Sequence, residues 1–73
     1  MSNFAEYLKG LRDEKRIGVR ELGRAVGVTG MHISNMEKGK SLPSPALIVK
    51  LAEALGTDVD EMSHRADHIA PEV

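Results

Sequence analysis

The sequence predicts an all-α domain built from five short helices. Apolar residues recur at spacings of three and four in five separate stretches, which is the pattern of a helix with one buried face. Glycine or proline stands between these stretches, at Gly27, Gly39, Pro43 and Gly56, where a helix ends or a new one begins. The 73 residues contain no cysteine, so the fold must depend on the packing of aliphatic side chains in one small core.

The first two helices are short and lie close together in the sequence. Helix 1 is expected to extend from about residue 4 to residue 15 or 16, and Ile17-Gly18 should end it and turn the chain. Helix 2 is expected to start near Val19, with Leu22 and Val26 on its inward face.

The turn after helix 2 is the most informative part of the chain. Gly27 stands where the helix should stop, because only glycine enters a left-handed C-cap without steric cost. Val28 is expected to be buried, and Thr29 can cap a third helix over roughly residues 30–36. Two helices joined by so short a turn cross steeply, so the pattern predicts a helix-turn-helix.

The last two helices are predicted from strong start and stop signals. Ser44-Pro45 combines an N-cap with proline at the first helical position, and Gly56 ends helix 4. Asp58 can cap helix 5, whose pattern weakens after about Arg65. We therefore expect a helix-turn-helix domain over residues 1–66 and a C-terminal tail over residues 67–73.

The net charge of −1 conceals an uneven distribution. Residues 1–40 carry eight Lys or Arg and five Asp or Glu, a formal charge of +3, whereas residues 41–73 carry two and six, a charge of −4. A polyanion responds to the local field of the surface that faces it, so the overall charge does not argue against nucleic acid. No apolar run is long enough to cross a bilayer. We expect a cytoplasmic, nucleoid-associated protein that does not bind membranes.

Motifs in a characteristic order and spacing extend from about Leu8 to Met62. They include Leu11-Arg12, Glu21-Leu22, Gly27-Val28-Thr29, Ile33-Ser34, Met36-Glu37, Gly39-Lys40 and Pro43-Ser44-Pro45. This spacing resembles the phage-repressor-like (Xre/Cro-type) helix-turn-helix family, whose members bind operator DNA. The resemblance implies a compact five-helix, lambda-repressor-like DNA-binding domain with helix 3 as the recognition helix. It also implies a pair between Arg12 and Glu37 that fixes helix 1 against the end of helix 3.

The chain departs from the family pattern mainly where DNA would be read. Gly18-Val19 replaces the Ser/Thr-Gln that often begins helix 2, and Arg20 can supply the phosphate part of the lost contact. Gly23 stands where alanine is usual, which permits close helix packing. Gly30 and Met31 occupy leading positions of the recognition helix that are often Arg, Gln or Ser in relatives.

Among the candidate base contacts, Asn35 is the strongest, because its amide can satisfy adenine N6 and N7 together. Ser34 can touch a base edge or a phosphate, and Met31 can cover a thymine methyl group. His32 can donate to a phosphate or to guanine N7, or it is a neutral surface residue. The candidate phosphate contacts are the side chains of Arg20, Thr29, Lys38 and Lys40, together with the backbone amides of the first turn of helix 3, which begins at Gly30. The alternative is that Lys38 and Lys40 belong to an ordinary solvent-exposed turn and contact no DNA.

The sequence also suggests partners and excludes some functions. A recognition helix reads few base pairs, so we expect a homodimer on double-stranded DNA, with Val59, Met62 and Ile69 at its interface. The alternative is that Val59 and Met62 complete the monomer core. We expect no enzyme activity, cofactor or metal site, although His64 and His68 have the i, i+4 spacing of metal ligands. The alternative function is a protein-interaction module or antitoxin-like partner-binding protein on the same fold.

Overall fold

The computed structural model describes residues 3–67, and within them the chain forms five α-helices and no strand. The predicted helices are all present, and their observed bounds lie within two residues of the expected ones. The all-α, five-helix prediction is confirmed. The helices are α1 (Asn3–Lys15), α2 (Val19–Val26), α3 (Gly30–Glu37), α4 (Pro45–Leu55) and α5 (Val59–Asp67).

All five helices contribute apolar side chains to one core. Helix α1 packs against α3, α4 and α5, whereas α2 packs against α3 and α4. The core residues among the described residues are all apolar and mostly aliphatic, so apolar packing holds the helices together, as the composition predicts. The core residues are Phe4, Leu8, Leu22, Val26, Ile33, Met36, Leu47, Ile48, Leu51, Ala52, Leu55, Met62 and Ala66.

The turn between α2 and α3 has the predicted chemistry. Gly27 is left-handed at φ 83° and ψ 25°, and its amide donates to the Gly23 carbonyl. The Val28 amide donates to the same carbonyl at 2.8 Å. The Thr29 hydroxyl then accepts a hydrogen bond from the His32 amide at 3.1 Å, which caps α3. These contacts fix the angle at which α3 leaves α2.

Two glycines allow the backbones of the motif to approach each other closely. A Cβ atom on Gly23 would lie 2.6 Å from the Val28 carbonyl oxygen and 2.9 Å from the Thr29 carbonyl carbon. A Cβ atom on Gly30 would lie 3.1 Å from the Cα of Arg20. The glycine at position 23 is therefore a requirement of this packing, and the glycine at position 30 brings the first turns of α2 and α3 together.

Gly23→Ala is expected to lower the free energy of unfolding, whereas Gly10→Ala should raise it. Each change adds one methyl group to a helix and improves helix propensity by about 1 kcal/mol. Nothing lies within 4 Å of a Cβ on Gly10, so that gain is retained. At Gly23 the backbone must move, at a cost of about 1–3 kcal/mol, which leaves a net loss of about 1 kcal/mol. Urea denaturation of both variants measures the difference, and equal stabilisation by both would contradict the close approach.

The turn between α1 and α2 differs from the prediction. The sequence suggests that Gly18 makes the turn, but Gly18 has a φ of −74° and serves as the N-cap of α2. The left-handed residue is Arg16, at φ 58°. The Ile17 amide donates to the Arg12 carbonyl at 3.1 Å, and the Arg12 guanidinium donates to the Ile17 carbonyl at 2.8 Å. These contacts hold the turn in a conformation that a non-glycine residue seldom adopts.

Helices α4 and α5 begin and end at the expected signals. The Ser44 hydroxyl accepts from the Leu47 amide at 3.2 Å, and Gly56 is left-handed at φ 69°. The Asp58 carboxylate accepts from the Asp60 amide at 3.2 Å, which caps α5. Helix α5 includes Asp67, and the rest of the predicted tail, residues 68–73, lies outside the described residues. The domain boundary at residue 66 stays a prediction.

The expected dimer surface on α5 is wrong for one of its residues. Met62 is fully buried in the core of the monomer, and Val59 is a partly buried residue packed against that core. The alternative interpretation, that these residues complete the monomer core, is correct for Met62, whereas a place for Val59 in a dimer interface stays a prediction. Ile69, the third residue of that surface, lies outside the described residues. None of the helices within residues 3–67 is long and apolar enough to span a membrane.

Candidate nucleic-acid interface

Helix α3 has one buried face and one face directed to solvent. Ile33 and Met36 are fully buried, and they anchor the helix in the core. The opposite face repeats at four-residue intervals, which correspond to about one helical turn. Its first turn carries Gly30 and Met31, its second carries Ser34 and Asn35, and Lys38 follows the end of the helix.

A shallow surface depression lies along this face and continues onto the first turn of α2. Seven of the nine residues predicted to contact DNA line it, so the fold brings most of the predicted site together in one place. The lining residues are Val19, Arg20, Thr29, Gly30, Met31, Ser34, Asn35 and Lys38. None of these eight residues carries a carboxylate, and two carry a positive charge, so the surface favours an anion.

His32 and Lys40, the other two predicted contacts, lie outside this depression. The half-buried His32 lines a different hollow, together with Val28, Leu42 and Lys50, on the side of α3 that faces the start of α4. Lys40 is exposed just beyond α3, and its amide donates to the Asn35 carbonyl at 2.9 Å. The Lys40 ammonium can therefore extend from a fixed backbone, whereas His32 does not share the surface on which Asn35 lies.

Val19 lines the depression but is not among the residues predicted to contact DNA. It stands at the position where relatives often have glutamine, and the sequence by itself indicates only that a polar contact is lost there. In the folded chain this side chain packs partly against the core and partly borders the depression. An apolar residue at this position adds apolar surface to the site, and the sequence contains this information in the identity of Val19.

The end of α3 is fixed to α1 by a two-pronged ion pair. Arg12 Nε lies 2.6 Å from Glu37 Oε2, and Arg12 Nη2 lies 3.1 Å from Oε1. The side chains are only 14% and 8% exposed. The hydrogen bond to Glu37 raises the pKa of Arg12 above its ordinary value. Because the pKa is raised in the folded state, the charged guanidinium stabilises the fold. This contribution is lost only in strongly alkaline solution, as the pH rises through the pKa of Arg12, so it is constant near neutrality.

The side chains of α2, α3 and the following turn that carry charge are arranged unevenly. Arg20, Arg24, Lys38 and Lys40 are exposed, and so is Glu21, whereas Glu37 at the end of α3 is paired with Arg12. Four positive groups and one negative group of these elements are therefore available to a partner. Within residues 3–67, no three His, Asp or Glu side chains come close enough together to bind a metal ion. His68, which with His64 has the spacing of metal ligands, lies outside the described residues.

Comparison with known proteins identifies the family. The sequence profile of the helix-turn-helix domain matches residues 3–64, which is most of the chain. The chain belongs to the helix-turn-helix domain family. Two relatives from Bacillus subtilis (strain 168) are similar over 94% of this chain: the HTH-type transcriptional repressor RghR at 40% identity and the uncharacterized HTH-type transcriptional regulator RghRB at 36%. The chain spans about half the length of these relatives, 52% and 50%.

Solved structures support the same assignment for this helix-turn-helix domain. The P22 c2 repressor in complex with synthetic operator 9T has a TM-score of 0.79 at 26% identity, covering 85% of this chain and 94% of that one. The clp gene regulator ClgR from Corynebacterium glutamicum has a TM-score of 0.79 at 27% identity, covering 92% and 71%. The resemblance to phage-repressor-like proteins and the lambda-repressor-like fold are thereby confirmed.

Proposed function

We propose that this helix-turn-helix domain is the DNA-binding part of a sequence-specific transcriptional regulator of the repressor type. The observation that carries the proposal is the depression along α3, which brings together seven of the nine residues predicted to contact DNA and has no carboxylate among its lining residues. The similarity to RghR, a transcriptional repressor, and to the P22 c2 repressor in complex with an operator supports the same function. We place its action in the cytoplasm, at the nucleoid.

In the proposed complex, the exposed face of α3 enters the major groove. The amide of Asn35 pairs with an adenine, and the hydroxyl of Ser34 contacts a neighbouring base or phosphate. No hydrogen bond among residues 3–67 engages the Asn35 side chain, so its amide is available to a base. Thr29 and the first amides of α3 lie against the backbone, where the positive end of the helix favours phosphate.

The lysines that follow α3 position the helix rather than specify the sequence. Lys38 and Lys40 are exposed at the end of the recognition helix, and Arg20 lies near its beginning. Cations at both ends of α3 can grip phosphates on either side of the groove, which fixes the register of the helix without reading bases. Sequence discrimination therefore depends mainly on the middle of α3 and on the shape of the DNA.

We further propose that two copies bind one operator, because a single recognition helix reads too few base pairs. Helix α5 exposes the acidic side chains of Asp60 and Glu61, and its apolar Met62 is buried in the core. Because this face offers little apolar surface to a second copy, we expect little dimerisation without DNA. Sedimentation with a duplex whose half-sites lie about 34 Å apart should show two copies per duplex. Saturation at one copy per duplex would contradict this arrangement.

A salt titration tests the proposed function directly. Binding to random duplex DNA should weaken steeply as salt rises, with about 0.9 units of log–log slope for each phosphate neutralised. Lys40→Ala should weaken binding to all sequences and reduce the slope by about 1 per copy. Lys9→Ala is the matched control, because it removes the same charge from an exposed position on α1 that pairs with Asp13. It should leave the slope nearly unchanged.

The same titration distinguishes the alternative function. A protein-interaction module on this fold would bind DNA weakly or not at all, and its binding would not respond to salt in this way. No binding at low salt would therefore contradict the DNA-binding proposal. An equal decrease in slope for Lys9→Ala and Lys40→Ala would show a general charge effect and contradict the assigned role of the turn after α3.

A further inference from the structure

The part of the depression that lies at the first turn of α3 is apolar, and this composition bears on which group of the DNA is recognised there. Met31 is 73% exposed in the first turn of α3, and Gly30 and Val19 border the same depression. None of these three residues carries a side-chain group that forms a strong hydrogen bond. In the major groove, the one apolar group on the edge of a standard base pair is the C5 methyl group of thymine.

We propose that Met31, flanked by Val19, reads a thymine C5 methyl group, and that this contact determines one position of the operator. The inference rests on the proposed function, since it requires α3 to lie in a major groove. It deepens that function by naming the chemical group recognised at the start of the helix.

The packing of the helix-turn-helix explains why the two apolar side chains border one depression. A Cβ atom on Gly30 would meet the Cα, N and Cγ atoms of Arg20 at 3.1, 3.2 and 3.3 Å, so the first turns of α2 and α3 lie nearly in contact. Val19 begins α2 and therefore borders the surface that Met31 begins on α3. Both side chains border the depression, which is open to solvent. A methyl group entering the depression would remove apolar surface of Met31 from water.

The geometry of α3 also places this contact relative to the adenine contact. Met31 and Asn35 are four residues apart on one face, which corresponds to about 6 Å along the helix axis. Successive base pairs are about 3.4 Å apart. For a helix that follows the groove, the methyl group read by Met31 lies about two base pairs from the adenine read by Asn35. In this arrangement the first turn of α3 contacts a thymine methyl group, the second turn contacts an adenine, and the lysine after the helix contacts a phosphate.

The test is a methyl-group scan of an operator obtained by selection from random duplexes. Each thymine is replaced singly by deoxyuridine, which removes only the C5 methyl group, and each adenine by 7-deazaadenine, which removes N7. One deoxyuridine substitution per half-site should weaken binding of the parent chain about fourfold, the value of one buried methyl group. It should lie about two base pairs from the adenine whose N7 is required.

Variants of exposed residues assign the effect. Met31→Ala should bind operator and deoxyuridine operator with equal affinity while keeping its sensitivity to 7-deazaadenine, and Met31→Leu should keep both sensitivities. Leu42→Ala is the matched control, because Leu42 is 52% exposed but does not line the depression. It should respond to the methyl scan like the parent.

The outcomes separate this inference from the function on which it rests. Failure to bind any selected duplex would overturn the proposed function and the inference together. Specific binding that survives removal of every thymine methyl group would overturn only the inference. A methyl sensitivity that persists in Met31→Ala would likewise overturn it, because the contact would then belong to another residue.

Discussion

Replacing Glu37 with alanine is expected to lower the free energy of unfolding by about 3 kcal/mol, a larger loss than we expect at Gly23 or Glu61. The carboxylate accepts two hydrogen bonds from Arg12, at 2.6 and 3.1 Å, and its side chain is 8% exposed. Without it, a mostly buried guanidinium retains the Ile17 carbonyl and an outer contact with Asp13. Removing one member of such a pair leaves a mostly buried charge with only a more distant, exposed counter-ion, which costs more than the pair itself contributes.

An exposed pair in the same chain provides the control for this prediction. Arg65 and Glu61 lie 3.1 Å apart on α5, but their side chains are 42% and 49% exposed. Glu61→Ala should therefore cost less than about 0.5 kcal/mol. Urea denaturation monitored by circular dichroism measures both variants. Equal losses would show that burial does not decide the strength of the Arg12–Glu37 pair.

A double substitution separates the pair from its surroundings. Arg12→Met combined with Glu37→Leu removes both charges and should cost less than Glu37→Ala alone, because no unpaired charge remains. If the double variant lost as much stability as Glu37→Ala, or more, the unpaired charge would not be the cause of the loss.

Most of the fold could be predicted because its signals are local. A left-handed position needs glycine at Gly27 and Gly56, and a helix start needs a side-chain acceptor at Thr29 and Ser44. Each of these requirements is satisfied within about five residues of the chain, so a single sequence reveals it. The order of the helices and the short turn of the motif follow from them.

The parts that could not be predicted depend on contacts between distant residues. Arg16 adopts a left-handed conformation that its residue type disfavours, in a turn held partly by the guanidinium of Arg12. Met62 has the spacing of a surface or a core residue alike, and only the packing of α5 against α1 and α4 places it in the core. Val19 borders the depression along α3 because the first turn of α2 approaches Gly30, and these two positions are eleven residues apart. Such relations are invisible to periodicity.

Asn35→Ala is expected to weaken binding to the operator by up to about 3 kcal/mol while leaving binding to random DNA unchanged. The Asn35 amide lies in the middle of the exposed face of α3, between Met31 and Lys38, where a helix in the major groove comes closest to base edges. A bidentate contact with adenine is lost completely in the alanine variant. Since no hydrogen bond within residues 3–67 engages this side chain, the stability of the fold should not change.

The measurement that decides the role of Asn35 is a ratio rather than a single affinity. Titrations of the parent, Asn35→Ala and Lys40→Ala against operator and random duplexes, at one salt concentration, give the specificity ratio of each chain. Asn35→Ala should lower the ratio, and Lys40→Ala should lower both affinities and preserve it. An operator with guanine in place of the adenine should bind the parent as weakly as the original operator binds Asn35→Ala. If Asn35→Ala kept the parent's ratio, specificity would lie elsewhere on α3, because the side chain best suited to read a base would not be reading one.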